Sequence, residues 1–106
     1  MPFADNLKKI PPVSHIEKIE VMRSDGTVEA VIKNQPGQAR SLAVYHYLAQ
    51  KYGVLNPDAA REGLELYAEH HEDAVSHRGK HPNIDRLLQI VEHNLRFTSR
   101  VTYRKR

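Results

Sequence analysis

Hydrophobic and polar positions change period along the chain. In HIEKIEVMRSDGTVEAVIKN, residues 15–34, they alternate. Ile19 and Val21 share one face with Ile16 and Met22 on the other, and Val28, Ala30 and Ile32 alternate with Thr27, Glu29, Val31 and Lys33. Period two marks strands, and Asp25-Gly26 between the two runs supplies the positive φ angles of a tight hairpin turn. NQPGQ then predicts a type II turn, with Pro36 at its second position and Gly37 at its third. From 39 to 52 the period lengthens: Leu42, Tyr45, His46, Ala49 and Tyr52 recur at helical spacing, and Val44 and Leu48 widen the stripe, so this helix is expected to be the most buried. Gly53 is its expected terminator.

A second helix starts at NPDAA, with Asn56 as N-cap, Pro57 at the first helical position and Asp58 at the positive end of the dipole. Its stripe of Ala60, Leu64, Tyr67, Ala68, His71, Ala74 and Val75 predicts one continuous helix ended by Gly79. Gly63 in its middle costs about 1 kcal/mol relative to alanine, which a close helix–helix contact would explain. A third helix is predicted over 82–97, with Ile84, Leu87, Leu88, Val91 and Leu95 as its apolar stripe. Residues 3–9 fit one short helical turn stopped by Pro11 and Pro12. In the last residues Val101 and Tyr103 alternate with Thr102 and Arg104. They fit either a third strand, which an isolated hairpin needs, or a disordered basic extension.

The expected class is therefore α+β: an N-terminal β-hairpin, with a C-terminal third strand as an option, packed against three helices. The 106 residues fit a single domain, 1–106. Its core is expected over 13–95, and 96–106 is a basic tail or an extra strand. A core this small favours a dimer that hides further apolar surface. No apolar run approaches the roughly 18 residues of a membrane span, and MPFADNLKKIPP lacks the apolar centre of a secretory signal, so a cytoplasmic location is expected.

Charge changes the picture in one place. The net charge is +3, but the last eleven residues carry Arg96, Arg100, Arg104, Lys105 and Arg106 and no acid; without them 11 basic face 13 acidic residues. Any nucleic-acid footprint is therefore local to these five residues, with Phe97 and Tyr103 among them for base stacking. The competing interpretation is an edge strand blunted by charge.

Four of the seven histidines fall in YAEHHEDAVSHRGKHP, residues 67–82. On one helix His70, Asp73 and His77 share a face, with His81 just beyond, and two imidazoles with a carboxylate suit a divalent metal. The step from His70 to His77 spans two turns, about 10.5 Å, too far for one ion unless both side chains lean inward. A solvated acidic face ending in dipole-favoured cations explains the same residues. PGQARS leads into a helix N-terminus with Arg40, a place for an anion, though it lacks the lysine-serine pair of a P-loop. No nucleophile elbow, paired carboxylates or dinucleotide fingerprint is present, which leans away from an enzyme. Tyr45, Tyr47, Leu48, Tyr52 and Tyr67 are many large side chains for so small a core, and aromatics concentrate at interfaces. A protein partner or a homodimer docking there is the leading expectation, which makes the chain a non-enzymatic protein-binding or regulatory module. Metal binding at residues 70–81, as a binding protein or a metal-dependent enzyme, and weak nucleic-acid binding by the tail are the alternatives.

The stretches PGQARSLAVYHYLAQKYG, EGLELYAEH and GKHPNIDRLL resemble a family of small uncharacterised proteobacterial proteins, a domain of unknown function. The resemblance covers roughly residues 13–93 and leaves out the basic tail. It implies a bacterial, cytoplasmic, stand-alone domain, and it carries no activity, cofactor or functional residue with it.

Overall fold

A computed structural model describes residues 2–105. Strands β1 (Ile16–Met22) and β2 (Val28–Lys33) form the expected hairpin, though at its turn Gly26 alone takes a positive φ (88°) and Asp25 does not, and the C-terminal segment is β3 (Thr98–Tyr103). The sheet is antiparallel in the order β2-β1-β3. Five helices lie among the described residues: α1 (Phe3–Leu7), α2 (Ala39–Tyr52), α3 (Pro57–Tyr67), α4 (Glu69–Ser76) and α5 (Pro82–His93). The class is α+β.

Helix α2 is the centre of the molecule, burying Leu42, Val44, Tyr45, His46 and Leu48. It packs on the sheet, whose buried residues include Ile19, Val21 and Ile32, and against α3, and Tyr45 ties it to α5 through Asn83 and Arg86. At Gly63 the close approach required by the sequence is present. A Cβ there would sit 2.7 Å from Leu48 Cδ1 and 2.8 Å from Leu87 Cδ1, so glycine lets α3 nest between two buried leucines.

The structure departs from simple periodicity in four places. Ile16 was expected opposite Ile19 and Val21, yet all three are fully buried. The pairing of β1 with β3 shifts register between Ile16 and Lys18, and the bulge returns Ile16 to the core face. Helix α5 stops at His93 rather than 97, because Asn94 takes the left-handed conformation (φ 53°) and Leu95 N–H donates back to the Ile90 carbonyl at 3.0 Å. This frees Phe97 to bridge to Leu55 with bonds of 2.8 and 3.0 Å and leads directly into β3. The buried core also reaches beyond 13–95, with Phe3 and Asn6 of α1 at one end and Phe97 at the other.

The fourth departure matters most for function. The single helix predicted from Pro57 onward breaks at Ala68, which has φ 51° and ψ −115°. In an unbroken helix the Leu66 carbonyl would accept from the amide of residue 70. Here it accepts at 2.9 Å from Nδ2 of Asn6, a residue of α1. The Phe3 N–H donates at 2.8 Å to Glu69 Oε1, at the start of α4. Docking of α1 thus competes with the helix for its own hydrogen bonds, and α4 leaves in a new direction.

A positive φ strains any residue with a Cβ, by about 1–3 kcal/mol. Ala68→Gly should therefore stabilise the protein by about 1 kcal/mol after allowing for the looser unfolded chain. Urea unfolding reads this directly. If residue 68 lay inside a continuous helix, the same change would instead cost about 1 kcal/mol.

Among the described residues no helix is long and apolar enough to cross a membrane.

Candidate functional site

Turning α4 away from α3 opens a cleft between the start of α2 and the start of α5. It has a volume of about 190 Å³, and its walls include Phe3, Arg40, Ser41, His70, Lys80 and His81. Each wall has a local cause. The turn at Pro36-Gly37, with Gly37 at φ 90°, delivers the chain into α2 so that Arg40 and Ser41 fall in its first turn. Pro82 sets the start of α5, leaving Lys80 and His81 on the connection from α4. Phe3 arrives with α1, its ring 5.1 Å from that of Tyr67 and 5.2 Å from that of His70.

The electrostatics of the cleft are uneven. Asp73 on α4 gathers basic side chains around it: His81 Nε2 lies 2.6 Å from Oδ2, Lys80 Nζ 3.1 Å from the same oxygen, and His77 Nδ1 3.2 Å from Oδ1. Hydrogen bonds from His81 and Lys80 hold its carboxyl down to about 2. Arg40 differs. Its guanidinium carbon lies 5.4 Å from the centroid of the Phe3 ring. No ion pair to it occurs among the described residues. Helix α2 has no acidic residue in its first turn and no side-chain cap, so Arg40 sits unopposed at the positive end of the dipole. A cation there opposes the dipole, a local conflict that a bound anion relieves. Ser41 Oγ accepts from the Tyr67 hydroxyl at 2.7 Å, which leaves the serine's own proton free to be donated.

The four residues expected to bind metal do come together, for a reason that helix spacing alone does not contain. The break at Ala68 and the turn around Gly79 bring His81 back onto Asp73, and the His70 ring lies 5.9 Å from that of His81. The carboxylate oxygen that receives His81 also receives the Lys80 ammonium, a cation already in the place of an ion. Among the described residues no group of three or more His, Cys, Asp and Glu side chains has the geometry to hold a metal.

The tyrosines expected to form an interface are placed otherwise. Tyr45, Leu48 and Tyr67 belong to the core. Tyr45 donates to the Asn83 carbonyl at 2.6 Å and accepts from Arg86 at 3.0 Å, and burial pushes its pKa up to about 12. Burial pushes Tyr67 up further. Tyr47 and Tyr52 are half-buried and both donate to Glu62 at 2.6 Å, with Lys51 Nζ 2.7 Å from the same carboxylate. Burial raises the Glu62 pKa, but the hydrogen bonds from Lys51, Tyr47 and Tyr52 outweigh it and hold it at about 2. This cluster pins α2 to α3. The tyrosines stood out in the sequence because the small core needs them for volume and each hydroxyl has an internal partner.

The basic tail is woven into the sheet. Arg100 makes a two-pronged contact with Glu20 at 3.0 and 3.1 Å. Arg104 donates to the carbonyls of Ile16 and Asn34 at 3.3 and 3.1 Å. Arg96 and Lys105 are exposed, and Arg106 lies outside the described residues.

Sequence reasoning found Arg40 through PGQARS but missed Lys80, Ser41 and Phe3 as its companions. The usable signal was a pair of helix starts, PGQAR and GKHPN, each with basic residues at the end of the dipole that repels them.

No curated protein and no solved structure matches the chain. A family match extends over residues 3–101, so it takes in α1 and most of β3, beyond the 13–93 that the resemblance covered, and the tail is part of the family pattern through Val101. With nearly its whole length matched, the chain belongs to the DUF2322 family, uncharacterized proteins conserved in bacteria.

Proposed function

We propose that the protein is a non-enzymatic binding module of the cytoplasm, and that it grips an anionic group of its ligand or protein partner in the cleft between α2 and α5. The observation that carries this reading is Arg40, a cation without a carboxylate partner among the described residues, beside Ser41 and Lys80 at the uncapped start of α2. Preformed concave sites with a few convergent polar groups are where small groups bind. At the other polar clusters the charged centres, Glu62 and Asp73, are already engaged by their own neighbours.

Thermal unfolding tests this. A ligand that binds only the folded state stabilises it by about 2.7 kcal/mol at a hundred times its Kd. Sulfate and phosphate should therefore raise the unfolding midpoint above that in chloride at equal ionic strength. Their effect should vanish in Arg40→Ala, an exposed position whose own midpoint stays near wild type. Equal midpoints in all three salts would refute the reading. Zinc serves as the discriminating arm. The alternative built on His70, Asp73, His77 and His81 predicts a higher midpoint with zinc, whereas the Lys80–Asp73 contact predicts none.

A further inference from the structure

We infer that the outer edge of β3 takes an extended, acidic segment of a protein partner as a fourth strand of the sheet.

The backbone is the first argument. β1 holds the middle of the sheet, so β2 and β3 each have one edge without a neighbouring strand. Just past the end of β3 the Arg104 N–H donates inward, to the His15 carbonyl at 2.9 Å. Just before its start Phe97 exchanges both of its bonds with Leu55, on the side away from β1. Successive residues of an antiparallel strand turn their backbone groups to opposite sides. Ser99, Val101 and Tyr103 therefore direct their N–H and C=O groups outward, on the side where Leu55 meets Phe97. Among the described residues no loop or side chain hydrogen-bonds to these groups.

The two edges of the sheet differ, and the difference is the second argument. On β2 the Lys33 N–H donates to Gln38 Oε1 at 3.0 Å, and the Lys33 carbonyl accepts from the Gln35 N–H at 3.0 Å. The β1–β2 register also shifts between Val21 and Met22, which puts the extra residue, Glu29, in β2. Covered groups and bulges are how natural sheets keep an edge from pairing. β3 has neither device, because the shift in its own pairing puts the extra residue, Glu17, in β1. Its arginines do not screen it either. Arg100 folds inward onto Glu20, and Arg104 onto the carbonyls of Ile16 and Asn34.

Charge and side chains choose the occupant. Arg96 and Lys105 stand at the two ends of the edge, both exposed. Neither they nor Arg104 has an ion pair among the described residues. A second copy of β3 would lay the same cations alongside, and like charges across a strand pair are destabilising. A nucleic acid would match the charge but has no row of amides to pair with the edge. An acidic peptide strand supplies both. On the helix side of β3, half-buried Val101 and Tyr103, which is 58% exposed, give the alternate apolar residues of such a strand a surface to cover. Main-chain bonds then provide affinity and alternate side chains specificity.

The test titrates the full chain with a capped peptide of about eight residues alternating valine and glutamate. It should bind at least tenfold tighter than the valine–lysine analogue. Its fully N-methylated form, equal in charge but without amide donors, should not bind. The amides of Ser99, Val101 and Tyr103 should exchange hydrogen at least tenfold more slowly in the complex. The double variant Arg96→Glu/Lys105→Glu, changed at two exposed positions, should melt near wild type and bind the peptide at least tenfold more weakly. Absence of binding would overturn the inference. So would binding of the N-methylated peptide at equal strength, or unchanged exchange at the three amides, since either leaves charge alone. Loss of binding in Arg40→Ala would place the peptide in the cleft between α2 and α5 instead. A free chain that sediments as a dimer with these amides already protected would assign the edge to a second copy. A single-stranded oligonucleotide that displaces the peptide and binds more tightly would assign it to nucleic acid.

Discussion

Truncation after Leu95 should abolish folding. The removed segment contains β3, and β1 lies between β2 and β3, so the central strand would lose one of its two partners along its length. A two-stranded hairpin is marginal in water. Phe97 leaves with the segment, and burying such a side chain contributes about 1.5–3 kcal/mol. Its two bonds to Leu55, the half-buried Val101 opposite Ile19, and the Arg104 bonds that tie β3 to Ile16 and Asn34 go with it. Against a total stability of roughly 5–15 kcal/mol for an ordinary domain, losses on this scale leave no cooperative fold. Circular dichroism with thermal melting should show a largely unfolded chain without a sigmoidal transition. A truncated protein that melts cooperatively within a few degrees of the full chain would mean that β3 is dispensable. The result also bears on nucleic acid. Loss of binding on truncation would report unfolding, so the tail has to be tested at Arg96 and Lys105, which are exposed and can be changed without removing the strand.

Tyr45→Ala should cost about 3–5 kcal/mol, the range for deleting a buried aromatic ring. Tyr45 is fully buried on α2 and reaches across to α5. Its hydroxyl donates to Asn83 at the start of α5, and Arg86 donates to it while lying over its ring at 5.6 Å. Alanine would leave a cavity and strip both polar groups of a partner. Tyr45→Phe separates the two contributions: it keeps the ring and should cost about 1–3 kcal/mol, the penalty for an unsatisfied buried partner. Chemical denaturation of both variants gives the comparison. A loss below 1 kcal/mol in Tyr45→Ala would show that the ring is not enclosed as described. Asn83 also lines the cleft, so Tyr45→Phe should weaken anion binding as well, by loosening the start of α5 rather than by touching the ligand.

The candidate site was half legible. Arg40 could be read because its conflict with the helix dipole is local, lying within one turn of PGQARS. The tyrosines misled because composition says how many large side chains exist and not whether a core of this size absorbs them. Here Tyr45 and Tyr67 fill the centre, and Tyr47 and Tyr52 are consumed by Glu62. The histidines misled in the other direction. Spacing along one ideal helix kept His70, His77 and His81 apart, whereas the fold brings His77 and His81 onto Asp73 and sets His70 beside His81.

The sequence by itself determined the hairpin, the turn at Pro36-Gly37, the existence and centrality of α2, the Asn56-capped start of α3, whose side chain does accept from Ala59 N–H at 2.9 Å, and the crowding at Gly63. Apart from Gly63, each depends on residues within about four positions of one another, where backbone geometry leaves few alternatives. The break at Ala68, the bulge after Ile16, the fixing of the tail as β3 and the cleft were decided only by tertiary structure. Their partners lie far away along the chain: Asn6 is 60 residues from Leu66, Phe3 is 66 from Glu69, and Arg100 is 80 from Glu20. A hydrogen bond offered from that distance can outcompete the next turn of a helix only after the chain has folded to present it, and local periodicity carries no trace of it beforehand.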